Sequence, residues 1–185
     1  MPRFPVISEE EASGEAAHLF ADFRQKMGFP AAPNFIRTQG GTSIDVARGT
    51  WGLVENVLVK GVLPRSLKEM MFVAISRDRM CGYCEAAHVA CCKMLGTDEA
   101  TIAAVVENVD ELNPARIRDS VKFSVKCARD PKSLEDADFE ILRDHGLGDA
   151  EIMEIIAMSG LAVFANIMAD ATKLDNDEMF CNYDS

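Results

Sequence analysis

The chain has 185 residues, 48% of them hydrophobic and 26% charged, enough to fill a sizeable core in one folded unit. Thirty acidic residues against nineteen basic ones leave a net charge of −11. That balance repels nucleic acid and anionic membrane, and no basic run offsets it, so neither is expected as a partner.

The N-terminal stretch MPRFPVISEEEASGE has no apolar export segment. The expected compartment is therefore the reducing cytoplasm. There the six cysteines serve as reactive, metal-bound or buried thiols rather than as a disulfide framework. Ser8-Glu9-Glu10-Glu11 reads as a capping box, starting a helix that stops at Gly28. Residues 29–34 carry two prolines and read as a loop. A helix from about Ser43 to Lys60 is ended by Gly61. Pro64 opens the next, with Leu67, Met70, Met71, Ala74 and Ile75 at helical spacing.

Cys81 to Leu95 reads as a helix stopped by Gly96, and Thr97 or Asp98 caps another to about Asn108. Asn113-Pro114 opens a helix that ends before Asp130-Pro131. Ser133 opens a short one ending at Gly146, and Asp149 opens a long one to about Thr172. Its most apolar part, residues 155–169, is shorter than the ~18 residues of a membrane span and contains Asn166, so it reads as a core helix. The acidic tail from Leu174 is expected to fray. Few stretches alternate with period two, so no sheet is expected. The fold class is all-α, a bundle of seven or eight helices. A faint internal repeat relates Arg77-Asp78, Leu95-Gly96 and Ile102 to Arg129-Asp130, Leu147-Gly148 and Ile152. Residues 1–185 are expected to form one helical domain: an N-terminal arm to residue 62, site-bearing helices over 63–110, and C-terminal helices over 111–185.

The stretch RMCGYCEAAH, residues 79–88, concentrates the chemistry. On a helix Cys81, Cys84 and His88 share one face, at i, i+3 and i+7. Three readings follow. In the first they are a redox dithiol with an adjacent base. The helix start favours Cys81 as thiolate, while the histidine one turn on favours Cys84. The second is a metal site of Cys81, Cys84, His88 and Cys91 or Cys92. A helix rises ~16 Å from Cys81 to Cys92, too far for ligands at ~2.0–2.3 Å from one ion. The third is a plain buried helix, the reading that Cys91, Cys92, Cys127 and Cys181 invite. Glu69, on the preceding helix, reads by itself as a surface carboxylate.

The full pattern is Glu69-x11-Cys81-x2-Cys84-x3-His88. It resembles the active-site signature of the alkylhydroperoxidase D-like group within the carboxymuconolactone decarboxylase superfamily, and the second half, with Asn166-x2-Ala169-Asp170, is similar to its peroxidase-related members. That resemblance implies an all-helical homo-oligomer acting as a thiol-dependent peroxidase or disulfide reductase. No haem, flavin or metal is implied; the cofactor role falls to the redox-active Cys81–Cys84 pair. Cys84 would attack the distal oxygen of a small hydroperoxide and become a sulfenic acid. Cys81 would resolve it to a disulfide, and a dithiol protein or small thiol would reduce that disulfide. His88 and Glu69 would relay protons. Some members carry a second histidine between the cysteines where this chain has Gly82-Tyr83; Tyr83 is an accessory candidate, a hydrogen-bond donor to sulfenate or peroxide. Members lacking the cysteines act as lactone decarboxylases, which ranks that activity low here. The small residues Ala157, Gly160, Ala162 and Ala165 suit close helix packing in an assembly. The competing reading is a non-enzymatic metal-binding or redox-sensing module built on the same cluster.

Overall fold

A computed structural model describes residues 1–181. Among them are ten α-helices and no strand: α1 (Gly14–Met27), α2 (Asn34–Thr42), α3 (Ile44–Leu53), α4 (Arg65–Asp78), α5 (Gly82–Met94), α6 (Glu99–Glu107), α7 (Ala115–Arg129), α8 (Asp136–Asp144), α9 (Asp149–Thr172) and α10 (Glu178–Cys181). The all-α expectation holds, but the count exceeds seven or eight. The two additions are α2, between the expected loop and the Ser43 helix, and α10, inside the tail.

Three boundaries differ for local reasons. The Ser8–Glu11 capping box forms, with Ser8 N–H to Glu11 at 2.7 Å and Glu11 N–H to Ser8 Oγ at 3.1 Å. It closes only a turn, and the helix begins at Gly14. The expected Ser43–Lys60 helix is α3 followed by a π-helical turn over Val54–Val59. Lys68, almost wholly buried, holds that turn. Its Nζ donates to the carbonyls of Val57 and Lys60 and meets Glu154 of α9 at 2.6 Å. Ser133 lies in a 3-10 turn, and α8 starts at Asp136.

α4 is the central element. Ten consecutive residues from Leu67 to Ser76 are buried, because α5, α6, α7 and α9 all pack on it. α9 is long and apolar enough to cross a membrane by composition, with mean hydropathy 1.9, and half of that window is buried in the protein, as in a core helix. Ala162 and Ala165 face the core, whereas Gly160 is on the open side with nothing near its missing Cβ. The turns after α5 and α8 match, with Gly96 and Gly146 both at φ +79°; Gly148 instead precedes α9 as its N-cap.

Candidate active site

The hairpin of α4 and α5 gathers the reactive groups. α4 ends in a Schellman turn: Met80 N–H bonds the Arg77 carbonyl at 3.1 Å and Cys81 N–H bonds the Ser76 carbonyl at 2.9 Å. Met80 occupies the left-handed position at φ +59°, at a cost of about 1–2 kcal/mol for a residue with a Cβ. The reversal makes Cys81 the N-cap of α5 without a linker. α5 then runs back along α4, pairing Arg77 with Glu85 at 3.5 Å and Glu69 with His88.

Glu69 is fully buried, against the expectation of a surface carboxylate. Burial is tolerated because both oxygens are charge-assisted. Oε1 accepts from Arg65 Nε at 3.1 Å, one turn earlier, and Oε2 meets His88 Nδ1 at 2.5 Å. The His88 ring stacks on Phe72, centroids 3.5 Å apart and 14° from parallel. Ring orientation is thus fixed, and Glu69 selects Nδ1, leaving Nε2 as the other working nitrogen.

Cys81 and Cys84 are both buried and free, and their side chains are in hydrogen-bonding contact. That contact, reinforced by burial, pushes the Cys84 thiol well above its ordinary pKa; the Asn166 amide beside it pulls the other way. Burial and the Cys81 contact thus favour the neutral thiol of Cys84 over its thiolate. Asn166, fully buried, also donates to Ser76 Oγ at 3.0 Å, while its Oδ1 has no partner.

A cavity of about 50 Å³ opens onto Cys84, His88 and Cys91. Its walls are Phe23, Met27, Phe29, Phe35, Phe72 and Phe180 among others, and no Asp, Glu, Lys or Arg lines it. Sequence reasoning missed this aromatic wall, since half of it comes from the N-terminal arm and the tail.

The tail is packed as far as residue 181, contrary to the expectation of fraying; residues 182–185 lie outside the described residues. Asp177 ties it down, accepting from Tyr83 Oη at 2.8 Å and from the Asn34 N–H at 3.0 Å. Tyr83 Oη in turn accepts from the Phe35 N–H at 3.0 Å. Both sides of that hydroxyl are engaged, so Tyr83 anchors the tail instead of donating to a sulfenate or peroxide. The anchor holds Phe180 in the cavity wall, edge-on against Phe29 at 5.5 Å between centroids. Removing the Asp177 acceptor leaves the buried Tyr83 hydroxyl without its acceptor, at about 1–3 kcal/mol, and frees the half-buried Asn34 N–H. Asp177→Ala is therefore expected to free α10 and to speed alkylation of Cys84 severalfold, read by peptide mapping; an unchanged Cys84 rate would show that Phe180 does not guard it.

The metal set read from the sequence does not assemble, because residues 82–94 are one regular helix. The grouping found among the described residues is Glu69, His88 and Cys91, with donor atoms all within 4.8 Å of one another. Of the thiols read as plain buried ones, Cys91, Cys92 and Cys127 are buried and Cys181 is exposed; Cys91 also lines the cavity. Arg65 and Asn166 had a sequence signal, Arg65 as the i−4 neighbour of Glu69 and Asn166 as a lone amide in an apolar helix; Asp177 had none.

A model of the carboxymuconolactone decarboxylase family matches residues 45–123. No curated protein matches the chain in sequence. The alkylhydroperoxidase AhpD core structure of an uncharacterised peroxidase-related protein from Ralstonia eutropha JMP134 superposes with a TM-score of 0.86 at 25% identity, covering 97% of this chain and 94% of that one. A peroxidase-related protein from Silicibacter sp. TM1040 gives 0.86 at 23% identity, over 98% and 94%. The debrominase Bmp8 in complex with 2,3,4-tribromopyrrole gives 0.79 at 20% identity, over 97% and 93%. Glu69, Cys81, Cys84 and His88 all fall inside the segment that matches the carboxymuconolactone decarboxylase family model, and the chain has the fold of the AhpD-like, peroxidase-related proteins.

Proposed function

We propose that the protein is a thiol-dependent peroxidase reducing small, neutral, apolar hydroperoxides through Cys84 and Cys81. The observation that carries this reading is that Cys84, touching its partner thiol, opens onto the same uncharged cavity as the Glu69-oriented imidazole. His88 takes the Cys84 proton, and Glu69 stabilises the imidazolium. The thiolate attacks the distal peroxide oxygen, the O–O bond breaks, and His88 returns the proton to the departing alkoxide, giving an alcohol. Cys84 is left as a sulfenic acid. The Cys81 sulfur displaces its hydroxyl as water, forming the disulfide. An external dithiol restores both thiols. The two cysteines supply the electrons, and assembly into a homo-oligomer accords with the family.

Charge decides the substrate class. A carboxylated lactone would bring an anion into a wall with no cation to receive it, so decarboxylation is disfavoured. The aromatic wall favours one second reading: reductive removal of halide from a flat neutral ring, in which the same dithiol gives a disulfide while aryl bromide becomes arene and bromide.

The test is incubation of the reduced protein with cumene hydroperoxide and dithiothreitol. Hydroperoxide is expected to be consumed, and without dithiothreitol one Cys81–Cys84 disulfide per chain is expected on peptide mapping. Neither consumption nor disulfide would sink the peroxidase reading; bromide release from 2,3,4-tribromopyrrole under the same conditions would replace it with the second.

A further inference from the structure

We propose that Glu69, His88 and Cys91 form a binding site for a thiophilic divalent cation, with Zn²⁺ as the fitting ion, and that its occupancy competes with proton relay. The competition rests on the function proposed above; the binding does not.

Cys91 has no part in the dithiol chemistry. It is one turn of α5 beyond His88 and two beyond Cys84, too far along the helix to bond Cys84. Yet its sulfur is within 4.8 Å of the His88 and Glu69 donor atoms, and it is 1% exposed. Carboxylate, imidazole and thiolate are the three ligand types zinc takes at ~2.0–2.3 Å, and three protein ligands with an open fourth position is a familiar zinc arrangement. Here the fourth position faces the cavity onto which Cys91 and His88 open.

The surroundings also fit. A zinc site needs outer partners that hold its ligands in place. Arg65 holds Glu69 by Oε1 and leaves Oε2 turned to His88. Arg65 is itself anchored on the Met27 carbonyl at 3.3 Å and also hydrogen-bonds the Cys91 sulfur, a contact that favours the thiolate. The stacked Phe72 fixes the plane of the imidazole. On binding, the Cys91 thiol proton leaves to solvent. The proton between Nδ1 and Glu69 moves to Nε2, and the ring stays neutral. One cation enters for one proton released, and the thiolate and carboxylate balance its charge. The same event occupies Nδ1 and Oε2, so His88 can no longer share a proton with Glu69.

The test uses the full chain, reduced with a phosphine and freed of metal. Co²⁺ is titrated as an optical probe and Zn²⁺ against a chromophoric chelator. One ion per chain is expected, with a thiolate-to-cobalt charge-transfer band. Cys91→Ser should abolish the band and weaken Zn²⁺ binding by more than the roughly 10–100-fold that outer-shell changes cost. The double variant Cys81→Ser/Cys84→Ser should keep the band. A band that survives Cys91→Ser and disappears in the double variant would put the ion on the dithiol and overturn the proposal; so would the lack of stoichiometric binding by wild type. Should Cys91→Ser prove insoluble, His88→Gln makes the same discrimination, since a dithiol site does not need the imidazole. Zn²⁺ at one equivalent should also suppress hydroperoxide consumption, reversibly with chelator. If the wild type consumes no hydroperoxide, the peroxidase reading fails while the cobalt spectra still decide the site.

Discussion

Cys84→Ser is expected to remove dithiol-dependent hydroperoxide consumption down to the uncatalysed background, because a serine hydroxyl cannot take the oxygen that a sulfur accepts. Cys81→Ser should behave differently. With peroxide alone it should consume one equivalent per chain and then stall, with Cys84 trapped as a sulfenic acid that a dimedone-type reagent labels. The asymmetry follows from depth as well as chemistry. Cys84 lines the cavity and Cys81 does not, so only one of the two sulfurs is presented to a substrate. Equal rates in wild type and both variants would remove the dithiol from the reaction. A reversed pattern, with Cys81→Ser dead and Cys84→Ser giving the single equivalent, would exchange their roles.

The second large effect belongs to Glu69. Glu69→Ala takes the carboxylate from between Arg65 and His88. Breaking a buried charge pair by deleting one partner costs about 3–5 kcal/mol. For a chain of this length that lowers the melting temperature by roughly 10 °C. Glu69→Gln keeps the volume and some hydrogen bonding, so its stability loss should be smaller. Both variants should lose hydroperoxide turnover by about 10²–10⁴-fold, the range for a missing acid–base group. The glutamine variant thus separates folding from chemistry. If it is as active as wild type, Glu69 only holds the hairpin together. His88→Ala should move the onset of Cys84 alkylation to higher pH, because the raised thiol pKa is no longer met by a neighbouring base. The same onset in wild type and variant would strip His88 of that role.

The candidate site was legible because its residues are close in sequence and match a known signature. Glu69 is on α4, Cys81 caps α5, and Cys84 and His88 are on α5; spacing alone left Glu69 as a surface carboxylate. The pairing of Glu69 with His88 needs one further fact, that α5 turns straight back, and Met80 in a left-handed conformation is not written in any glycine. What stayed hidden depends on distant contacts. α2 contains Gly40-Gly41, a pair of residues that disfavours a helix interior. A Cβ on Gly40 would come within 2.5 Å of Phe20, and one on Gly41 within 2.8 Å of Ile7; these glycines serve close approach inside a helix. The tail read as frayed because DNDEMF is acidic and short of apolar residues. Asp177 and Phe180 gain their ordering from Tyr83, Asn34 and Phe29, far away in sequence, so no local pattern announces it. Cys91 looked like any buried thiol until α4 supplied the carboxylate beside it.

The origins of the cavity wall have a consequence for how such proteins diversify. The residues proposed to carry the dithiol chemistry and the proton relay lie within 45–123, the segment that matches the family model. Phe23, Met27, Phe29, Phe35, Ala165 and Phe180 come from either side of it. Half of the cavity wall is thus encoded apart from the residues proposed to react, the rest beside them. Exchange of the two flanking stretches between relatives would retune which molecules are admitted while the redox machinery stayed as it is.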